Sequence, residues 1–255
     1  MVNNIFRHLN LIKANSKVIF SLKGILCMCI IFVYTFLTKS YLVNDTFAFG
    51  QTIKNTFYGP LNLGDNIIET FTWVLYQFFI IFVIGNFIFK ELMVRAYYTI
   101  PRLGNKSRWH IDLQFACIIS CVIYFALGFF IVFIINWLSN SASNFNGLYD
   151  VIKILSLLSL ASYYFVTVYI INVLVTKNHV QSFIILLITS LVSIKLGYVF
   201  KIDKYIPFNQ GIISKHITGG FSLAWSMIFL IILIIINVVI SDIIIVKKDL
   251  SELAH

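Results

Sequence analysis

The sequence predicts an all-α integral membrane protein: six transmembrane helices, an interfacial N-terminal helix and one domain over residues 1–255. Hydrophobic residues make up 60% of the chain and charged residues 11%, with mean hydropathy +0.92. A soluble domain carries about 25% charged residues, so the surface of this one faces lipid. Six apolar runs come near the roughly 20 residues that cross a bilayer as helix. None shows the two-residue alternation of a membrane β-strand.

Residues 1–17 mix Ile5, Phe6, Leu9, Leu11 and Ile12 with Arg7, His8, Lys13 and Lys17. That pattern suits an amphipathic helix lying on the membrane before the first span, or a frayed tail. The apolar run begins only near Val18 and no small-residue cleavage site follows, so the first span is expected to stay in place. Span 1 is about 18–43, with Lys23 and Lys39 snorkelling at its ends. A polar loop with Asn44, Asp45, Asn55, Gly59, Pro60 and Gly64 follows. Span 2 is about 67–90, span 3 about 111–138, span 4 about 151–175, span 5 about 182–200 and span 6 about 221–246.

Six spans place both termini on one side. Arg7, Lys13, Lys17, Lys23, Lys90, Arg95, Arg102, Lys106, Arg108, Lys177, Lys247 and Lys248 then share that side. Lys39, Lys54, Lys153, Lys195, Lys201, Lys204 and Lys215 remain for the other. The positive-inside rule makes the first side cytoplasmic, in a multi-pass cell-membrane protein. The same rule accounts for the net charge of +9 without nucleic acid.

No site for chemistry emerges. The sequence holds no HExxH helix, no GxSxG elbow and no complete P-loop. Glu69, Glu91, Asp112, Asp150 and Asp242 fall near span ends, where water is available. Cys27, Cys29, Cys117 and Cys121 lie inside apolar runs with no His, Asp or Glu among them, and read as packing residues. Lys195 is the deepest cation, close enough to the outer surface to snorkel. The chain is therefore not expected to be an enzyme, nor to hold a metal or cofactor.

The densest cationic stretch is RAYYTIPRLGNKSRWH, residues 95–110. Span 2 is expected to continue as helix through Arg95, Pro101 to end or kink it, and Gly104-Asn105 to turn the chain. Ser107 would cap the next helix and Trp109 would anchor it at the headgroups. Span 2 also carries a seam at Phe71, Leu75, Phe78, Phe82, Gly85 and Phe89, which suits either ordinary helix contact or a pathway wall at a dimer centre. Asn86, Asn136, Asn172 and Asn237 stand late in spans 2, 3, 4 and 6, where amides bond between helices. The connection 201–220 is too apolar for a free loop. A short interfacial helix there could gate an exit or cap the bundle.

The string Arg102-Leu103-Gly104-Asn105-Lys106-Ser107-Arg108-Trp109 resembles the R-x-G-x-K/R-x-K/R-W stretch between spans 2 and 3 of bacterial ABC-2-type permease subunits. These are the membrane halves of ABC exporters handling antimicrobial or toxic peptides in Gram-positive bacteria. Tyr205-Ile206-Pro207-Phe208-Asn209-Gln210-Gly211 is similar to that family's Pro-x-Asn segment before span 6, with His216 where an arginine is expected. The six-span plan and the Lys247-Lys248-Asp249 tail fit the same pattern.

The resemblance implies a cytoplasmic coupling hairpin that docks on a separate ABC ATPase through Arg95, Pro101, Arg102, Gly104, Lys106, Arg108 and Trp109. It implies ATP and Mg bound by that partner alone, and a second permease subunit, most simply an identical one. The cargo would be a hydrophobic or amphipathic peptide, with Phe71, Phe78, Phe82 and Phe89 at the pathway or dimer seam. Pro207 and Asn209 would shape the outer loop. The alternative is a membrane anchor or immunity protein that transports nothing.

Overall fold

A computed structural model of the chain describes residues 14–39, 49–64, 66–139 and 147–248. The expectations for residues 1–13, for the end of span 1, for the 140–146 turn and for the last seven residues lie outside them. All regular structure among the described residues is helical. Residues 14–19 form a short helical piece. Then come α1 (Leu22–Leu37), α2 (Phe49–Thr56) and α3 (Ile67–Lys90), a π-helical turn (Glu91–Arg95), α4 (Ala96–Leu103) and α5 (Lys106–Ser139). The chain continues through α6 (Leu148–Thr176) and α7 (His179–Phe200), two 3-10 turns (Asp203–Tyr205 and Pro207–Asn209), α8 (Ile213–Gly219) and α9 (Leu223–Lys247).

Five of these helices are long and apolar enough to cross a bilayer: α3 with its π turn, α5, α6, α7 and α9. Local capping sets their ends. The Asn66 carboxamide accepts from the Ile68 and Glu69 amides at 3.1 and 3.3 Å and starts α3. Asn178 does the same for α7 with Val180 and Gln181, at 2.9 and 3.2 Å. Ser222 caps α9 through Trp225. The first apolar segment departs from expectation: α1 has 16 residues, about 24 Å of helix against a hydrocarbon core of about 30 Å. The polar loop after it also differs, because Phe49–Thr56 folds as α2 and buries Ile53. Phe57, just beyond, packs against Phe32, Tyr76 and Phe129.

The pillar of the fold is α6. Its apolar window is 72% buried, against 22% for both α7 and α9. Polar side chains join it to its neighbours. The Gln77 amide of α3 donates to Ser162 Oγ at 2.8 Å, and Asn237 Nδ2 of α9 donates to Thr167 Oγ1 at 3.1 Å. Tyr169 OH donates to the Gly85 carbonyl at 3.2 Å. Bonds of this kind are worth about 0.6 kcal/mol each in a membrane. Of the four late asparagines, Asn237 makes the interhelical bond expected of it, whereas Asn86 is exposed. Cys117 and Cys121 are free and buried in the core.

Lys39 overturns the expectation of snorkelling, and a second lysine, Lys215, is buried as well. Lys39 is 1% exposed and pairs with Glu69, joining the end of α1 to the start of α3. Lys215 is 0% exposed and lies 3.0 Å from Asp203 Oδ1. Both pairs stand at the end of the bundle away from the 95–110 hairpin, called the far end below.

Candidate functional site

At the hairpin end, α3 does not stop at the span boundary. One widened turn follows, in which the Ala96 amide bonds back to the Glu91 carbonyl, and α4 continues the helix. Pro101 neither ends nor interrupts it, because the helix runs two residues further, to Leu103. The stop is Gly104, left-handed at φ 72°, whose N–H donates to the Ile100 carbonyl at 2.9 Å. Asn105, not Ser107, then caps α5: its carboxamide oxygen accepts from the Ser107 and Arg108 amides at 2.9 and 3.2 Å.

Ser107 is thereby free to reach across the bundle. Its hydroxyl donates to Asp242 Oδ2 of α9 at 3.1 Å. The same carboxylate approaches His110 Nδ1 to 3.3 Å. His110 Nε2 lies 3.1 Å from Ser241 Oγ and 2.9 Å from the Gln114 amide. Gln114 in turn accepts from Tyr163 OH of α6 at 2.9 Å. Lys106 Nζ donates to the Val246 and Lys248 carbonyls, placing a cation on the negative end of α9. Lys248 Nζ donates to the Leu174 carbonyl of α6. The base of the hairpin is thus clamped to the ends of α6 and α9.

The clamp sorts the sequence-predicted residues. Arg95 donates to Glu91 Oε1 at 2.7 Å within its own helix and keeps 48% of its side chain exposed. Lys106 is spent on α9. Trp109 is 3% exposed, so it packs inside the protein instead of anchoring at the headgroups. Pro101, Gly104 and Arg108 are exposed at the tip, and Arg108 has no ion-pair partner among the described residues. The Arg102 side chain lies outside the described set. Ser107, His110 and Asp242 were missed as a group because 135 residues separate Ser107 from Asp242. Ser241, His110 and Asp242 have the connectivity of a hydrolytic triad. Both Ser241 and His110 are 0% exposed, however, and Gln114 fills the remaining approach to Nε2. The group reads as a structural clamp.

The proposed seam divides. Phe78 is buried against Trp73, Phe165 and Phe183. Phe89 packs on His179. Phe71 and Phe82 are 52% and 48% exposed, although Phe71 touches Tyr34 and Phe82 touches His179 and Phe183. A close approach of Tyr169 to Gly85, where a Cβ would stand 2.9 Å from the ring, seats α3 on α6.

At the far end, Pro207 opens a 3-10 turn that buries Asn209 completely. Asn209 Nδ2 donates to the Ser193 carbonyl at 3.0 Å and to Asp203 Oδ1 at 2.6 Å. Gln210 Nε2 faces the carbonyls of Asp203, Lys204 and Ile206 at 3.0 Å each, and its Oε1 accepts from Ser226 Oγ at 2.6 Å. The connection is therefore held by a network of polar bonds. Comparison with protein-family models, with curated proteins and with solved structures finds no match. The reading of the site rests on its own geometry.

His216 belongs to this far-end network, with Nε2 2.9 Å from the Gln210 carbonyl and Nδ1 3.3 Å from that of Phe221. Burial holds its imidazole below the ordinary value of 6.5, although the two backbone carbonyls favour the proton. A depressed histidine contributes stability that is complete above its unfolded value, about 6.5, and lost as pH falls below it. Thermal stability in detergent is therefore expected to fall on acidification from pH 7.5 to 5.5, with a shallower pH slope in His216→Gln. Equal slopes in the two proteins would remove His216 from the account.

Proposed function

We propose that this chain is the membrane subunit of an ATP-driven exporter of the ABC-2 type, with the 95–110 hairpin as its contact with a separate ATPase. The observation that carries the reading is mechanical. A continuous helical rod from Ile67 to Leu103 ends in an exposed, glycine-capped basic tip. The chain just past that tip, at the start of α5, is clamped to α9 through Lys106, Ser107 and Asp242, and α9 is tied to α6 by the Lys248–Leu174 bond. A rod fixed in this way carries a push at the tip into the membrane. A basic tip also suits an acidic groove on a partner, to which arginine offers a paired set of donors.

In this reading Leu22–Leu37 completes a six-span plan with both termini in the cytoplasm of the cell. Two identical permease subunits work with two ATPases, which bind ATP and Mg. The cargo is a hydrophobic or amphipathic peptide. A far-end cavity of about 530 Å³ supports that class, since Gln51, Lys54, Asp150 and His216 share its wall with Ile154 and Phe221.

Affinity purification of the full chain from native membranes in mild detergent, with mass spectrometry of what accompanies it, tests the proposal. An ABC ATPase in roughly equal amount is expected. A folded protein that brings down no ATPase would move the reading to a membrane anchor or immunity protein.

A further inference from the structure

The far-end connection is basic although the positive-inside rule would strip that side of cations. Burial explains only part of the excess. Lys215 is neutralised by Asp203, and Lys204 lies over the Trp225 ring at 4.9 Å. Lys195 and Lys201 are exposed and have no ion-pair partner among the described residues. Lys195 stands on α7, one of the two least covered spans, five residues before the helix ends at Phe200, about 7.5 Å along its axis. A cation at that depth on a lipid-facing helix needs a counter-charge or water.

Its surroundings hold no polar surface beyond the lysine itself. Lys195 borders a groove of about 400 Å³ formed by Ile188, Leu191, Val192, Leu196 and Phe200. From Ile188 to Phe200 the groove follows α7 for about 18 Å, close to the hydrocarbon depth of one leaflet, about 15 Å. Val199 lines this groove and also a second cleft, of about 690 Å³, whose wall includes Tyr198, Lys201, Lys204 and Thr218. The cleft contains one carboxylate, Asp203, which is committed to Lys215 and Asn209. An apolar channel one leaflet deep therefore opens beside a cationic cleft at the membrane surface.

We propose that this pair of cavities binds one anionic phospholipid of the far-end leaflet. One acyl chain lies in the α7 groove, and the phosphate sits between Lys195 and Lys201, with Lys204 at its edge. Charge complementarity selects an anionic lipid over a zwitterionic one. The site does not depend on the exporter reading.

The test uses the purified full chain, delipidated in detergent and titrated with phosphatidylglycerol or phosphatidylcholine, with bound lipid counted by native mass spectrometry. Phosphatidylglycerol is expected to be retained in preference to phosphatidylcholine. Lys195→Gln and Lys201→Gln are each expected to weaken it about fivefold. Both are exposed positions, and gel filtration checks that the variants remain monodisperse. Val192→Trp, which fills the groove and leaves the lysines, is expected to abolish retention. Equal retention of the two lipids, or wild-type affinity in a variant that carries both Lys195→Gln and Lys201→Gln, would overturn the proposal. Displacement of bound phosphatidylglycerol by an equal concentration of glycerol 3-phosphate would also overturn it, since the groove would then contribute nothing.

Discussion

Lys215→Met is expected to cost about 3–5 kcal/mol of stability, the usual penalty for leaving one member of a buried ion pair alone. The two side chains are 1% and 14% exposed and 3.0 Å apart. Without the ammonium, the Asp203 carboxylate keeps only the Asn209 amide within its network. The double variant Asp203→Asn with Lys215→Met removes both charges and should recover most of the loss, because a neutral pair of similar volume often matches a buried ion pair. Gly197→Ala attacks the same network from the α7 side. Its Cβ would stand 2.1 Å from Asp203 Oδ1 and 2.4 Å from Asn209 Nδ2, so the connection must move. Denaturant unfolding in detergent measures all three. A loss under about 1 kcal/mol for Lys215→Met would mean that the pair is solvated, as exposed pairs are.

An effect of similar size is expected at the other buried pair. Glu69→Gln leaves the Lys39 ammonium, 1% exposed, without its counter-charge, and should also cost about 3–5 kcal/mol. The consequence is local in a way the first is not. The short α1 is held to the bundle by this pair at its end and by Phe32 in its middle. Phe32 is 0% exposed and contacts Tyr124 and Phe57. It fills a slot that only a glycine leaves open, since a Cβ on Gly128 would lie 2.4 Å from its ring. Loss of the pair should therefore loosen α1 first, read as earlier protease cutting before α3 while the remaining fragment stays folded. Lys39→Met with Glu69→Leu is expected to restore resistance. Unchanged cutting in Glu69→Gln would show that Phe32 packing alone holds the helix.

Much of the helical layout could be read from residue order because its causes are local. Asn66, Asn178 and Ser222 sit where side-chain caps are needed, and α3, α6, α7 and α9 begin or end within a few residues of the hydropathic limits. The failures share a different cause. Lys39 was expected to snorkel and Lys215 was only assigned a side, because residue order does not show a cation's partner. Those partners lie elsewhere in the chain. Trp109 was expected at the headgroups and is buried by tertiary packing instead. Ser107 loses the cap to Asn105, since the left-handed Gly104 turns the chain so that the cap falls two residues earlier than expected. Pro101 was expected to end or kink the helix, which instead runs two residues past it, to the left-handed Gly104. Nothing in hydropathy marked α6 as the pillar. That role follows from which helix others surround.

The hairpin reading is tested most directly by charge reversal at the tip. Arg102→Glu with Arg108→Glu leaves the clamp through Lys106, Ser107 and Asp242 untouched, so the fold should persist. The amount of ABC ATPase recovered with this variant, relative to wild type and to Lys201→Glu at the far end, is the deciding measurement. Recovery is expected to fall at least tenfold in the hairpin variant alone, the scale at which paired charges act in an interface. Equal ATPase recovery from all three proteins would contradict the account, placing the contact elsewhere and leaving the hairpin as a topological feature.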